Sequence, residues 1–277
     1  MTLRLIFNAD DYGLTVGVCR GIRQAHLRGV VTSTSCMIGM PGVGAEIKTA
    51  RRECPRLGMG LHLTITAGWP ILSPEEIPAL CAADGRFQRL ESLLHRRHAL
   101  PLAQVEAEWR AQIRAFIEAA GSPPTHLDSH HHSSYFTPDL FRLQLKLAAE
   151  FGTAVRLPVI SREPYQAAGL PPEVTAELEA ALPGLLAEFH PRCPDGFLAD
   201  FYETGATRQT LMDFTDSHPT GTWEVMCHPA YADGDLLAVS SYNANRQVEL
   251  ELLTNPQTVK ALREKKVQLV NFLDVKL

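Results

Sequence analysis

Thr125-His126-Leu127-Asp128-Ser129-His130-His131-His132 places four of the chain's eleven histidines and one aspartate within eight residues. The stretch is too short for a helix and is flanked by two. Before it, residues 102–120 carry Val105, Trp109, Ile113, Phe116 and Ile117 at helical spacing and end at Gly121-Ser122-Pro123-Pro124. After it, residues 138–151 open on Pro138 and close at Gly152, a helix with both of its end signals. The stretch is therefore a short strand between helices. Alternation would point His126, Asp128 and His130 one way and His131 the other. A strand that ends here puts imidazoles at its mouth, where α/β enzymes keep their chemistry. Imidazole is the commonest protein ligand for transition metals. The plainer readings are a solvated His-rich turn or an affinity tag; a tag belongs at a terminus, and this stretch is mid-chain.

Outward from this unit the helix–strand pattern repeats. Residues 3–7 form an apolar strand expected to stop at Asn8-Ala9-Asp10-Asp11-Tyr12-Gly13, followed by a helix over 15–27 capped by Thr15. A strand is expected over 30–38 and a helix over 45–52. The strand over 58–66 has Leu61, Leu63 and Ile65 on one face and His62, Thr64 and Thr66 on the other. Further strands are expected over 154–160 (holding Arg156), 198–202, 222–229 and 267–273, and further helices over 207–214, 245–253 and 256–265. Strands alternating with helices define a parallel α/β fold, and about eight repeats suit a barrel-like sheet, TIM-barrel-related, better than an open one. No domain boundary is visible, so residues 1–277 read as a single domain with insertions. The insertions are the proline-rich stretches 68–101 and 161–194, the first carrying a basic cluster, His95-Arg96-Arg97-His98, that reads as a solvated face. Long excursions of this kind usually serve as lids or binding loops.

Composition narrows the function. A net charge of −5 gives no basic footprint, so no nucleic acid partner is expected. No apolar run is long enough to span a membrane. The start of the chain does not read as a signal peptide, and the six cysteines are scattered without a CxxC pair. Reduced thiols and a cytoplasmic location are expected.

Asp10, Asp11, His62, His130 and His228 each lie at or near the end of an expected strand, and in a barrel those ends meet on one face. Taken alone, Asp-Asp-Tyr-Gly is a common turn and His62 an ordinary core histidine. Together, two histidines and one carboxylate can hold a catalytic divalent metal with a position left open. The other carboxylate is then available as a base toward the attacking water.

The segments Asn8 through Leu14, Gly60-Leu61-His62-Leu63, Thr125 through His132 and Glu224-Val225-Met226-Cys227-His228-Pro229 resemble the motifs of the YdjC-like carbohydrate deacetylases, within them the ChbG-type chitooligosaccharide (chitin disaccharide) deacetylases. The resemblance runs in order over nearly the whole chain. It implies a barrel-like (β/α) fold and removal of the N-acetyl group from an N-acetylglucosamine unit, as in diacetylchitobiose, or from a related acetylated amino sugar, by metal-activated water. It implies one divalent ion, magnesium by family habit with zinc as an alternative, held by His62 and His130. Similarity to the wider polysaccharide deacetylases adds Asp11 as third ligand and Asp10 as base. His228 is then the acid toward the leaving amine, with Arg156 orienting Asp10. His126, Asp128, His131 and His132 are expected as supporting groups, and His132 in place of His130 is the alternative ligand. The chain departs from the pattern at Ser133-Ser134-Tyr135-Phe136, where the type continues with a further histidine. The two insertions match nothing in it and are the expected walls of the sugar site. A hydrolase of another acyl amide, a metal-dependent phosphoesterase and a non-enzymatic sugar-binding regulator are the rival readings. The expected partner is an acetylated amino sugar or chitooligosaccharide, with a homodimer left open.

Overall fold

The computed structural model describes residues 2–158 and 170–276. In chain order the elements are β1 (Leu3–Tyr12), α1 (Val16–Arg28), β2 (Ser33–Cys36), α2 (Val43–Glu53), β3 (Gly58–Leu63), α3 (Leu90–His95), α4 (Leu102–Ala120), β4 (His126–Ser129), α5 (Pro138–Phe151), β5 (Ala154–Val155), α6 (Pro172–Phe189), β6 (Gly196–Leu198), α7 (Arg208–Ser217), β7 (Gly221–Cys227), α8 (Gly234–Val239), α9 (Ala244–Thr254), α10 (Pro256–Glu264) and β8 (Gln268–Leu269). The strands build one sheet in the order β5-β4-β3-β2-β1-β7-β6. Every ladder between them is parallel, and the sheet curls into a half-barrel. β8 pairs with Arg4 and Leu5 of β1, below the point at Asn8 where β2 begins its own pairing. The expected barrel-like α/β fold is borne out.

Period-two alternation sorts the side chains into an outer core and a barrel interior. Leu3, Leu5, Phe7 and Ala9 of β1 join the main apolar core, together with Met59, Leu61 and Leu63 of β3, Leu127 of β4 and Val225 of β7. Trp109, Ile113 and Phe116 of α4 close over that face, each fully buried. The alternate residues point inward. At the floor of the interior, Ile6, Ala154, Phe272 and Val275 form a small apolar plug. Above it the interior becomes polar: Asn8, Asp10, Ser35, His62, His126, Asp128, Arg156 and Glu224 are all buried. Burying so many polar groups is tolerable only if they satisfy one another, and the site described below is how they do so.

Several expectations are corrected. β1 does not stop before the aspartates but runs through them to Tyr12, with an irregularity in its pairing to β2 between Ala9 and Tyr12. The expected strand over 267–273 shrinks to Gln268–Leu269, because Phe272–Asp274 turn into a 3₁₀ segment that carries Phe272 into the interior plug. The strand over 154–160 is seen only at Ala154–Val155, and residues 159 and 160 lie outside the described residues, as does the part of the second insertion over 161–169. His130 lies not in the strand but at the start of a 3₁₀ turn, His130–Tyr135. The basic cluster is not simply solvated: Arg97 and His98 approach Glu177 of α6 at 2.9 and 3.4 Å, tying the first insertion to the second.

Candidate active site

β1 supplies two adjacent carboxylates, which a regular strand would send to opposite faces. A bulge removes that constraint. Asp11 adopts φ +69°, and its Oδ1 comes to 3.5 Å from His62 Nε2 while Asp10 Oδ2 lies 4.0 Å from the same nitrogen. His130 Nδ1 stands 2.9 Å from Asp11 Oδ1. Asp11, His62 and His130 thus offer one ligand atom each within 4.8 Å of one another. His131 and His132 follow in the left-handed region, both at φ +52°. Two consecutive non-glycine residues in that region store backbone strain, as functional sites often do. They turn the histidine run back on itself, so His130 stays over the carboxylates while His131 Nδ1 reaches Thr66 Oγ1 at 3.0 Å.

The other ring nitrogen of His62 faces Asp128 Oδ1 at 2.7 Å. A carboxylate behind a ligating imidazole fixes its orientation and raises its basicity. Asp128 is itself held by Ser35 Oγ at 2.5 Å, Asn8 Nδ2 at 3.3 Å and Arg156 at 3.1 Å. Asp10, His62 and Asp128 also cluster within ligand distance of one another. Their facing atoms are already spent, however, on the His62–Asp128 contact and on Arg156, so a two-metal arrangement fits poorly.

Arg156, fully buried, grips both oxygens of Asp10 at 2.7 Å and donates from Nε to Glu224 at 2.8 Å. Arg246 of α9 grips the other oxygen of Asp11 at 2.6 Å. Burial alone would push the Asp11 carboxyl up, but the Arg246 and His130 charges outweigh it and hold the group well below the usual carboxylate range. Burial likewise acts upward on Asp10, and Arg156 with His62 reverses it, so Asp10 is ionised at neutral pH. For Glu224 burial wins over Arg156 and the carboxyl rises to about 8.

A cation suits the Asp11–His62–His130 cluster on three grounds. Asp11 Oδ1 is a buried oxygen that, among the described residues, receives no well-aligned hydrogen bond. Burial opposes charge on His62, yet Asp128 and Asp10 raise it to about 10, so the field at Nε2 calls for positive charge. Finally, Asp10, Asp11 and Asp128 outnumber the two guanidiniums that contact them. The donor set of two imidazoles and one carboxylate leaves room for water or substrate.

His228, just past β7, lines the same pocket of about 300 Å³ as Asp10, Asp11, His62 and His130. All five predicted site residues are thus brought together. Its backbone N–H donates to Glu249 Oε2 at 2.5 Å, and its ring stands edge-on to Tyr202 and Tyr242 at 5.5 and 5.6 Å. Burial, reinforced by Arg246, lowers the imidazole to about 4. Arg246, Glu249, Tyr202 and Tyr242 were not anticipated from the sequence. A signal existed for two of them: Arg246 and Glu249 fall on the same helical stripe as Leu250 and Leu253, so charges occupied the face that α9 buries.

Fold and site together define a barrel-like α/β protein with three candidate cation ligands and a flanking carboxylate at the mouth of its strands. The model of the family described as YdjC-like protein matches residues 4–264. A carbohydrate deacetylase of Brevibacillus brevis is 36% identical over 99% of this chain and 100% of its own. A carbohydrate deacetylase of Thermoanaerobacter pseudethanolicus is 32% identical over 97% of each. A chitooligosaccharide deacetylase of Salmonella schwarzengrund is 34% identical over 98% of each. Among solved structures, an Enterococcus faecalis protein provisionally described as a cellobiose-phosphate cleavage protein superposes with a TM-score of 0.84, at 32% identity over 98% of both chains. The chain belongs to the YdjC-like family, as its motifs led one to expect. Among the described residues no helix is long and apolar enough to cross a membrane.

Proposed function

We propose that this protein hydrolyses the N-acetyl group of an N-acetylglucosamine unit in a short chitooligosaccharide or a closely related acetylated amino sugar. The reading treats residues 1–277 as one deacetylase domain working in the cytoplasm, where six unpaired cysteines are at home. The observation that carries it is the meeting of three potential cation ligands, Asp11, His62 and His130, with a guanidinium-gripped carboxylate, Asp10, and an imidazole, His228, around one pocket. A divalent ion held there, magnesium by family resemblance, would supply Lewis acidity toward the amide oxygen and the attacking water.

The chain's own groups handle the protons. The water oxygen bonds to the carbonyl carbon, Asp10 accepts the proton that water gives up, and the C–N bond breaks to leave acetate and an amine. His228 delivers a proton to the departing nitrogen. At rest burial and Arg246 keep His228 neutral, so it takes up that proton from solvent when the negative tetrahedral adduct stands beside it, and Asp10 returns the water proton to solvent as the products leave. Asp128 keeps the His62 ring in place, and Arg156 keeps the Asp10 oxygens aimed.

The test is acetate release from diacetylchitobiose by protein stripped with a chelator and then titrated with magnesium or zinc. Activity should fall on stripping and return with the metal, and His130→Ala should bind metal far more weakly by calorimetry. No acetate from any acetylated amino sugar, with metal bound, would remove the reading.

A further inference from the structure

We propose that Tyr202 and Tyr242 form a stacking wall for a pyranose ring in this pocket, and that Tyr202 makes the enzyme prefer an acetylated sugar to an open-chain acetamide. The proposal rests on the deacetylase reading and names the part of the substrate that reading leaves unrecognised.

The two tyrosines come from loops far apart in sequence, one after β6 and one between α8 and α9, and meet with ring centroids 4.3 Å apart and planes inclined by 20°. Both line the pocket that holds Asp10, Asp11, His62 and His130, and both rings stay half-buried and open to it. Tyr242 is locked: its hydroxyl donates to Glu249 Oε1 at 2.5 Å and accepts from the Glu203 N–H at 3.1 Å. Tyr202 leans on that fixed ring, and among the described residues no hydrogen bond holds its hydroxyl, which remains available to a sugar hydroxyl. An aromatic pair fastened from behind and exposed in front is a platform for a ligand, not a piece of core.

The chemistry of the rest of the pocket says which ligand. Besides the tyrosines the pocket is lined by carboxylates, imidazoles and Arg246, with Leu14, Ala67, Met226 and Val239 adding apolar surface, a mixture suited to a ligand of mixed character. A pyranose offers both characters, with hydroxyls around its rim and an apolar face of axial C–H bonds that packs on the electron-rich face of a ring. His228 stands edge-on to both tyrosines, so a sugar stacked there carries its amide nitrogen beside the imidazole. An open-chain acetamide has no such face and gains nothing from the wall. The volume of about 300 Å³ is at the low end for small-ligand pockets, which fits one ring held closely.

The experiment compares wild type, Tyr202→Ala and Tyr202→Phe, metal-loaded, on diacetylchitobiose and on N-acetylethanolamine. Circular dichroism and metal titration establish that each variant is folded and loaded. Tyr202→Ala should raise KM for the sugar about tenfold with kcat within about threefold, and lower the sugar-to-acyclic ratio of kcat/KM by a similar factor. Tyr202→Phe keeps the ring and should restore KM to within about twofold. An unchanged ratio in Tyr202→Ala, a kcat loss with KM unchanged, or a Phe variant as impaired as Ala would each overturn the stacking wall while leaving the deacetylase reading intact. A wild-type protein that releases no acetate overturns both.

Discussion

Asp10 is fixed from several sides at once. It accepts from Asn8 at 2.9 Å and from both terminal nitrogens of Arg156, so its position is over-determined and its charge retained. In the proposed role of base, Asp10 would lose its function when the charge goes, even though the shape remains. Asp10→Asn should bind metal normally by calorimetry yet release acetate at least about a hundredfold more slowly, since a general base contributes roughly 10²–10⁴-fold. Glu224 behaves in the opposite sense. Burial lifts it to about 8, so from the ordinary carboxylate range up to that value the folded chain keeps a proton that the unfolded chain has lost. The folded state then binds more protons than the unfolded one, and stability must fall as pH rises through that window. Urea unfolding of metal-free protein between pH 5 and 8 should show this decline. Glu224→Gln should flatten it, and an identical slope in the variant would refute the assignment.

At the level of elements, the site depends on how closely β3 and β4 approach inside the curled sheet. His126, at the base of β4, stacks on Phe272 with centroids 3.7 Å apart and lies directly over Gly60 of β3. A Cβ at Gly60 would sit 2.2 Å from His126 Cε1, with two more ring atoms within 2.6 Å. Gly60 is therefore required for close approach, two residues before the candidate ligand His62. Gly60→Ala should destabilise by about 1–3 kcal/mol in chemical denaturation, as overpacking does. It should also weaken metal binding, because His126 and Asp128 share the strand that orients His62. The bulge in β1 is the second device of this kind: without the positive φ at Asp11, one of the two carboxylates would face the outer core.

In the molecule as a whole, Arg156 does more than hold the Asp10 carboxylate. Among the described residues the sheet ends at β5 on one side and β6 on the other. From its place just past β5, Arg156 reaches across the interior to Asp10 on β1 and Glu224 on β7, and its guanidinium lies 4.8 Å from the Phe197 ring on β6. One side chain thus spans the opening of the half-barrel. Arg156→Met would leave Asp10 and Asp128 buried without their shared cation, and breaking such a pair costs about 3–5 kcal/mol. The expected readout is a corresponding drop in unfolding free energy together with loss of activity; a variant as stable as wild type would show that the network has another support.

Local signals in the sequence determined the alternating α/β order, the boundaries of α4 and α5 to the residue, the Thr15 cap and the gathering of Asp10, Asp11, His62, His130 and His228 at strand ends. Periodicity, capping and glycine or proline stops act within a few residues, so a linear reading captures them. The bulge that turns Asp11 inward, the left-handed pair at His131 and His132 and the collapse of the last strand into a 3₁₀ turn were decided by tertiary packing. So were the partners of the site: Tyr202 and Tyr242 arrive from segments that look like ordinary loop, and the buried stripe of α9 marks Arg246 and Glu249 without naming what they meet. Their roles arise from contacts as distant as the 235 residues between Asp11 and Arg246, and no local preference encodes such a contact.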